Sequence, residues 1–277
     1  MIVDAHTHIF PPEVVKDRER FLDGEPAFKA LYADPKARMV TAEGLLDAMD
    51  NEGVDISWAL GFPWTKKENA RLHNEYLAQA IKDQPERLRG LGCVPPQADW
   101  ALKEAERALG LGLQGIGEIA FYSDDIDVNS LSPLCSLCAE SGCPLLLHTN
   151  EPVGHAYPGK APMSLSALYS LVRNNPDTKM VLAHMAGGLF FYSLLKKEVR
   201  PALANVWIDT AASPYLYRPR AYGLAVELLG SDRVLLGSDY PLLPVSRYKK
   251  ELASPEAALP PQAQEMILGH AAQWLIP

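Results

Sequence analysis

Eight short apolar segments recur along the chain, and stretches with one polar face separate them. Each apolar segment is continuous rather than alternating, which is typical of strands that are buried on both faces. The predicted strands are residues 2–5, 56–62, 88–94, 114–121, 144–148, 180–184, 206–210 and 234–238. The predicted helices are residues 42–52, 68–84, 100–111, 131–141, 164–174, 191–203, 220–229 and 261–275. Thr41 is the expected N-cap of the first helix, and Gly53 marks its end.

Eight strand–helix alternations in 277 residues favour a (β/α)8 TIM barrel of the α/β class. A doubly wound open sheet is the alternative, but no glycine-rich phosphate turn follows the first strand. The stretch from Phe10 to Val40 is too long for a tight turn. We therefore predict one domain over residues 1–277, with an insertion at residues 10–40 that lies over the barrel mouth.

Composition and charge exclude several kinds of partner. The chain has 26 Lys+Arg against 34 Asp+Glu, and its lysine pairs are isolated. Proteins that bind nucleic acid through its phosphates usually carry a basic stripe, so no nucleic-acid partner is expected. No apolar run reaches the roughly 18 residues that cross a bilayer, and no signal peptide is recognisable, so no membrane partner is expected. Four cysteines are too few for a disulfide framework, which indicates a cytoplasmic location. The expected partner is a small-molecule substrate, and acidic enzymes of this size often form homodimers.

Four of the seven histidines and two carboxylates end predicted strands or follow them directly. The carboxyl ends of all strands in a barrel open onto one mouth, where catalytic residues collect. Side chains at positions i and i+2 share one face of a strand, so Asp4, His6 and His8 are all expected to point inward. The six residues at the strand ends, called here the six-residue cluster, are His6, His8, Glu118, His148, His184 and Asp239.

Four imidazoles and two carboxylates would be costly to bury together without a cation, so the cluster predicts a metal centre. The ligand set lacks thiolates, which suits Zn first and Mn, Fe or Co next. In a two-ion arrangement, Glu118 bridges one ion held by the first-strand histidines and Asp239 and a second held by His148 and His184. In a one-ion arrangement, His184 is free to carry a proton, and the ligands are the first-strand histidines, His148 and Asp239.

Three motifs resemble the amidohydrolase superfamily, in particular its amidohydrolase-2 branch of aminocarboxymuconate-semialdehyde decarboxylase-like enzymes. They are Asp4-Ala-His-Thr-His8, His184-Met-Ala-Gly-Gly188 and Gly237-Ser-Asp-Tyr-Pro241. Glu118 is closer to the fourth-strand glutamate of TatD-type hydrolases, and no lysine is present there for carboxylation as in urease-like members. The resemblance implies that Asp239 takes a proton from a metal-bound water and passes it to the leaving group, with His184 as an electrophilic partner.

Two reactions fit these residues. The first is metal-dependent hydrolysis of a small amide, lactone or ester by metal-activated water, which Glu118 favours because an extra carboxylate bridge suits two ions. The alternative is metal-dependent, non-oxidative decarboxylation of a small unsaturated or aromatic carboxylic acid. A binding protein without catalytic activity would lack a ligand, and none is missing.

The loops that follow the strands supply candidates for substrate binding. Their aromatic residues indicate a pocket for a ring or a flat acyl group. An arginine could bind a substrate carboxylate through two parallel hydrogen bonds. The candidate substrate-binding residues are Trp64, Asn150, His155, Tyr157 and Arg218.

Overall fold

Eight parallel strands form a barrel, in a computed structural model that describes residues 1–122, 127–161 and 163–276. Each strand pairs with the next one along the sequence. Backbone hydrogen bonds from Ala5 to Leu236 and from His8 to Tyr240 bring the first and last strands together. The predicted TIM barrel is therefore confirmed. The strands are β1 Val3–His8, β2 Ile56–Leu60, β3 Leu88–Gly92, β4 Gly115–Ile119, β5 Leu145–Leu147, β6 Met180–Leu182, β7 Val206–Asp209 and β8 Val234–Leu235.

Helices follow the strands and cover the outside of the barrel. The α-helices up to β6 are α1 Pro12–Lys16, α2 Pro26–Tyr32, α3 Ala42–Glu52, α4 Lys67–Asp83, α5 Ala101–Gly110, α6 Ser132–Ser141 and α7 Leu165–Asn174. Those after β6 are α8 Val199–Ala202, α9 Ser213–Leu216, α10 Arg220–Leu229, α11 Val245–Leu252, α12 Pro261–Glu265 and α13 Ala271–Leu275. Shorter 3-10 turns lie at Arg18–Phe21, Val128–Leu131, His184–Leu194, Ser231–Arg233 and Pro255–Ala257, and a π-helical turn at Met266–His270 joins α12 to α13. No helix in the described ranges is long and apolar enough to cross a membrane.

The helix before β2, α3, begins and ends where the sequence predicts. The Thr41 hydroxyl accepts a hydrogen bond from the Gly44 N–H at 3.4 Å, and Gly53 ends α3 in the left-handed conformation at φ 65°. The helix predicted over residues 191–203 is wrong, because only the four residues of α8 are α-helical there. Pro201 lacks the N–H that a helix interior requires, and the preceding segment is a distorted 3-10 turn.

Both faces of the strands are buried, as continuous apolar segments predict. In β5, Leu145 and Leu147 pack in the layer between the strands and helices, while Leu146 belongs to a separate inner cluster. β6 repeats the pattern, with Val181 in the inner cluster. The final helix contributes Leu275 to that same inner cluster. Apolar side chains thus fill both faces of the strands, and the polar groups lie at the mouth formed by the carboxyl ends of the strands.

Residues 10–40 form α1, a 3-10 turn and α2, which share a small aromatic core with the loop after β2. Phe10 lies 6.0 Å from Phe28 and 6.1 Å from Phe62, measured between ring centroids. Tyr32 at the end of α2 packs against Phe28 at 5.0 Å. The aromatic core anchors this segment next to the carboxyl ends of β1 and β2.

Irregularities in two strands decide which side chains face the barrel mouth. The pairing of β1 with β2 shifts between Asp4 and Thr7, and the pairing of β4 with β5 shifts between Ile116 and Ile119. A bulge of this kind turns the side chains that follow it onto the other face. The inward orientation predicted for Asp4 is wrong for this reason. Its carboxyl group instead borders a small space beside α3 and accepts hydrogen bonds from the Ser238 N–H and hydroxyl at 2.9 and 2.5 Å.

Candidate active site

The six-residue cluster meets at the carboxyl end of the barrel. The Nε2 atoms of His6 and His8 lie 3.2 Å apart, and Asp239 Oδ1 is 3.7 Å from the first and 3.3 Å from the second. Each of these three residues offers one ligand atom, and the three atoms lie within 4.8 Å of one another, close enough to bind one ion. The chain segments that carry them are more than 230 positions apart in sequence, so closure of the barrel brings them together.

Glu118 lies between the two halves of the cluster. Its Oε2 atom is 3.5 Å from His6 Nε2 and 3.4 Å from His8 Nε2. Its Oε1 atom is 3.0 Å from His148 Nδ1 and 3.4 Å from His184 Nε2. The two imidazole nitrogens on that side are 3.1 Å apart. One carboxylate therefore faces all four histidines, and the bulge in β4 lies at its position.

Hydrogen bonds on the outer side of three imidazoles fix which nitrogen carries the proton. His6 Nδ1 donates to Asp209 Oδ2 at 2.8 Å, His148 Nε2 donates to the Gly159 carbonyl at 2.9 Å, and His184 Nδ1 donates to the Ala211 carbonyl at 3.0 Å. In the neutral tautomers, the inward nitrogens are therefore lone pairs that face carboxylate oxygens and one another. This donor set matches a cation, because only a positive charge satisfies so many converging acceptors.

The charges in the cluster favour the same conclusion. Burial disfavours the charged form of His184, but the Glu118 carboxylate raises its pKa to about 9. Burial likewise opposes charge on His6, yet the carboxylates of Glu118 and Asp209 raise its pKa well above 6.5. Burial alone would raise the pKa of Glu118 and of Asp239, but the imidazoles lower both. The field at the centre of the cluster thus attracts positive charge, as a divalent cation would supply. The residues present fit such an ion.

Strained backbone carries two members of the cluster. Five consecutive residues, His184 to Gly188, adopt left-handed conformations with φ between 52° and 87°, and Asp239 has φ 59°. A left-handed residue other than glycine costs about 1–2 kcal/mol. Such strain persists where the surroundings hold it, and it is concentrated at active sites. Here the His184 and Ala211 N–H groups donate to Asp209 Oδ1 at 2.9 and 3.0 Å, which holds the turn in place.

Asp209 is a buried residue of the site that the sequence analysis did not predict. It is fully buried at the end of β7, where it binds the His6 ring and the backbone of the His184 turn. The available signal was an acidic residue at the end of an apolar strand, the same signal that identified Glu118. Asp209 differs from Glu118 in that it does not border the cavity and acts on the cluster through the His6 ring and the His184 backbone.

A cavity of about 740 Å³ opens above the cluster. His8, Glu118, His148, His184 and Asp239 border it, while His6 is fully buried beneath them. Lys36 and Arg38 of the insertion stand among the residues that line it, and neither was predicted from sequence. The aromatic side chains of the wall are Tyr32, Phe62, Tyr122, Tyr157 and Tyr215.

The structure places the five predicted substrate-binding residues in two groups. His155 and Tyr157 line the cavity, and the Tyr157 hydroxyl donates to Glu151 at 3.0 Å. The other three lie outside its wall. Trp64 is buried in the aromatic core of the insertion, with its indole N–H committed to His73 Nδ1 at 2.9 Å.

Asn150 and Arg218 are displaced from the cavity for different reasons. Asn150 is buried beneath the left-handed turn, where its carbonyl oxygen would be only 2.3 Å from a Cβ atom added at Gly187. Its side-chain amide donates to the Glu151 carbonyl at 3.1 Å. Arg218 is exposed on the segment between α9 and α10. The two residues follow strands β5 and β7, as predicted, but neither side chain lines the cavity.

Comparison with known sequences finds one family and two curated relatives. The profile of the family described as amidohydrolase matches residues 3–276. A 2-amino-3-carboxymuconate-6-semialdehyde decarboxylase of Dictyostelium discoideum is 24% identical, over 86% of this chain and 81% of the relative. A gamma-resorcylate decarboxylase of a Polaromonas species is 25% identical, over 75% of this chain and 76% of the relative.

Solved structures share the fold. A 5-carboxyvanillate decarboxylase from Sphingomonas paucimobilis superposes with a TM-score of 0.77 at 20% identity, covering 99% of this chain and 98% of that one. A dihydroxybenzoic acid decarboxylase from a Polaromonas species, determined with bound manganese and the inhibitor 2-nitroresorcinol, gives 0.73 at 18% identity, covering 99% and 96%. The named relatives and neighbours are decarboxylases, which favours the alternative reaction over the hydrolysis that the sequence analysis placed first.

Proposed function

The chain belongs to the amidohydrolase family, and from that premise we propose that it catalyses the metal-dependent, non-oxidative decarboxylation of a small aromatic carboxylic acid. The observation that carries the proposal is the position of the six-residue cluster at the floor of an aromatic-walled cavity, in a chain whose curated relatives are decarboxylases.

The size and lining of the cavity support a planar substrate. An apolar cavity of about 150 Å³ holds a benzene molecule, and the cavity here measures about 740 Å³. A substituted ring therefore fits with room for water or for a second substituent. Tyr32, Phe62 and Tyr122 offer ring faces and edges, the geometry that aromatic ligands prefer.

The six-residue cluster supplies the ligands for the metal. We assign His6, His8, His148 and Asp239 as the residues that would hold a divalent cation, with Glu118 beside them. Imidazole and carboxylate ligands suit zinc or manganese. The bound ion would act as a Lewis acid that neutralises the carboxylate and any neighbouring hydroxyl oxygen of the substrate.

His184 is free in this assignment to move a proton. Its Nδ1 proton is committed to the Ala211 carbonyl, so Nε2 is the atom that faces the cluster and exchanges a proton. In decarboxylation the bond between the ring carbon and the carboxyl carbon breaks, carbon dioxide leaves, and the electron pair stays on the ring carbon. That carbon takes the Nε2 proton of His184 in its imidazolium form, which leaves the neutral ring protonated on Nδ1, and solvent then returns a proton to Nε2.

The test is carbon dioxide release from a panel of hydroxybenzoic acids by the metal-loaded protein. His184→Asn should reduce the rate by about 10²–10⁴-fold, the usual contribution of a positioned acid or base. Its metal content should equal that of the wild type, whereas Asp239→Asn should lower metal content as well. Release of carbon dioxide at the wild-type rate by His184→Asn contradicts the role of His184. Absence of release from every acid, with an amide or lactone cleaved instead, contradicts the reaction.

Hydrolysis is the second candidate because of how Glu118 is placed. Each of its oxygens faces a different pair of histidines, which is the arrangement of a carboxylate that bridges two ions. Metal analysis separates the two candidates. One ion per chain at full activity favours the one-ion assignment above, and two ions with ester, amide or lactone cleavage favour hydrolysis.

A further inference from the structure

The loop after α2, residues 33–38, carries two cations to the edge of the cavity. Lys36 and Arg38 both line it, and neither forms an ion pair with a carboxylate of the described residues. The Arg38 guanidinium lies 5.8 Å from the Tyr240 ring centroid. By contrast, Lys160 in the loop after β5 is bound to Glu151 at 2.9 Å. An anionic group that enters the cavity therefore meets the two cations of loop 33–38.

Arg18 holds this loop in place without lining the cavity. Its Nη1 atom donates to three backbone carbonyls, those of Tyr32, Asp34 and Ala37, at 3.2, 2.8 and 3.1 Å. Tyr32 is the last residue of α2, and the final carbonyls of a helix have no partner within it. A guanidinium at this end satisfies those acceptors and is favoured by the helix dipole.

We propose that Arg18 is a positioning residue that sets the charge selectivity of the cavity. By fixing loop 33–38, it holds Lys36 and Arg38 where they bind a second anionic group of the substrate, apart from the carboxylate that reacts. The substrate class is then an aromatic acid with a further carboxylate or comparable anion on the ring. This inference rests on the proposed function for the identity of the reacting group, but not for the binding itself.

The change in affinity for an anionic ligand should be large enough to measure, because charge-assisted hydrogen bonds are strong. A guanidinium or ammonium group bound to a carboxylate contributes more than a neutral pair, and loss of such a contact changes affinity by about tenfold to a hundredfold. Removal of the Arg18 side chain takes away its hydrogen bonds to the Tyr32 and Ala37 carbonyls and leaves the Asp34 carbonyl only the Ala37 N–H at 2.9 Å, which frees the loop. Both cations should then lose their fixed position together, so the loss should match or exceed that caused by neutralising Arg38 alone.

The experiment compares two probes of the same shape, 5-carboxy-2-hydroxybenzoate and 5-carbamoyl-2-hydroxybenzoate, by calorimetric titration of the metal-loaded protein. The wild type should bind the first at least about tenfold more tightly. Arg18→Ala and Arg38→Gln should each bring the ratio of the two affinities close to one. The double variant should have the same ratio as Arg18→Ala, because both changes act on one contact. Millimolar guanidinium should restore the ratio in Arg18→Ala but not in Arg38→Gln. Arg20→Ala is the matched control, because that side chain lies over the Phe21 ring and should leave the ratio unchanged.

Each outcome supports or overturns the proposal. Equal affinity of the wild type for the two probes, strictly additive effects of the two changes, or an unchanged ratio in Arg18→Ala overturns it. If Arg18→Ala does not fold, Arg18→Met, which keeps a long side chain but has no donor, is measured instead, and a wild-type ratio there overturns it equally. Charge selectivity that depends on Arg18 in a protein that releases no carbon dioxide refutes only the proposed function. Carbon dioxide release with selectivity independent of Arg18 refutes only this inference.

Discussion

Asp209 provides the sharpest test of how the candidate site is built. In the Asp209→Asn variant, one carboxylate oxygen becomes an NH₂ group. Oδ1 accepts from two backbone N–H groups at 2.9 and 3.0 Å, whereas Oδ2 accepts from His6 Nδ1 at 2.8 Å. An NH₂ group set against the two backbone donors would leave them unsatisfied, at about 1–3 kcal/mol each. The amide nitrogen should therefore turn toward His6.

His6 must then change tautomer to accept that hydrogen bond. Its proton moves from Nδ1 to Nε2, the atom that faces the cluster, and the lone pair offered to the metal is lost. Loss of an oriented outer hydrogen bond of this kind usually costs 10–100-fold in metal affinity, about 1.4–2.7 kcal/mol. We expect a fall in affinity for Mn²⁺ and Zn²⁺ within that range, while the barrel itself stays folded.

The assay is a chelator-competition titration of stripped protein, with nitrogen NMR of the His6 ring to identify its tautomer. Asp4→Asn is the matched control. Asp4 is also buried and also accepts from a backbone N–H, but its second oxygen faces the Ser238 hydroxyl, which can reverse and accept from an amide. Its metal affinity should stay near that of the wild type. Metal binding by Asp209→Asn within twofold of the wild type, or a His6 proton that stays on Nδ1, would refute the reasoning.

Three further expectations follow from the same contacts. Dialysis against a chelator should abolish activity, and added Mn²⁺ or Zn²⁺ should restore it with a measurable stoichiometry per chain. Gly237→Ala should lower metal affinity and reduce the free energy of unfolding in urea by about 1–3 kcal/mol, because the new Cβ would lie 2.8 Å from the His6 Cβ. Gly110→Ala is the control, because its new Cβ would have no atom within 4 Å, and it should change neither quantity. Burial would raise the pKa of Glu104, but hydrogen bonds, chiefly from Arg107, lower it below 4.5. Its stabilising effect is therefore present at neutral pH and is lost as the pH falls below 4.5, so the stability deficit of Glu104→Gln, about 1–3 kcal/mol at pH 7, should shrink on acidification.

Much of the fold could be predicted because its signals are local. The continuous apolar segments of β5 and β6 report burial on both faces, and Thr41 and Gly53 carry the start and end of α3 within a dozen residues. The helix predicted over residues 191–203 was wrong, and the pattern of apolar residues also gave no sign of the left-handed turn at His184–Gly188 that precedes it. That conformation depends on contacts with Asp209, which lies on another strand.

In the candidate site, too, the features with a local sequence signal were predicted and those set by tertiary contacts were not. Residue types at strand ends were enough to single out the six-residue cluster, because a barrel gathers those ends at one mouth. Of the five candidate substrate-binding residues, only two line the cavity. His155 and Tyr157 reach the cavity, but Trp64 turns into the core of the insertion, and Lys36 and Arg38 take positions on the cavity edge that no motif marked.

The sequence by itself determined the alternation of strands and helices, the polar groups at the strand ends and the composition of the metal-binding candidates. Only the tertiary structure decided that Asp4 turns away while Glu118 turns in, that Asp209 orients His6 across 203 positions of sequence, and that Arg18 holds loop 33–38 over the cavity. Burial and helix signals depend on neighbours along the chain. The direction of a side chain and the partner of its proton depend on strand register and on segments that meet only when the barrel closes.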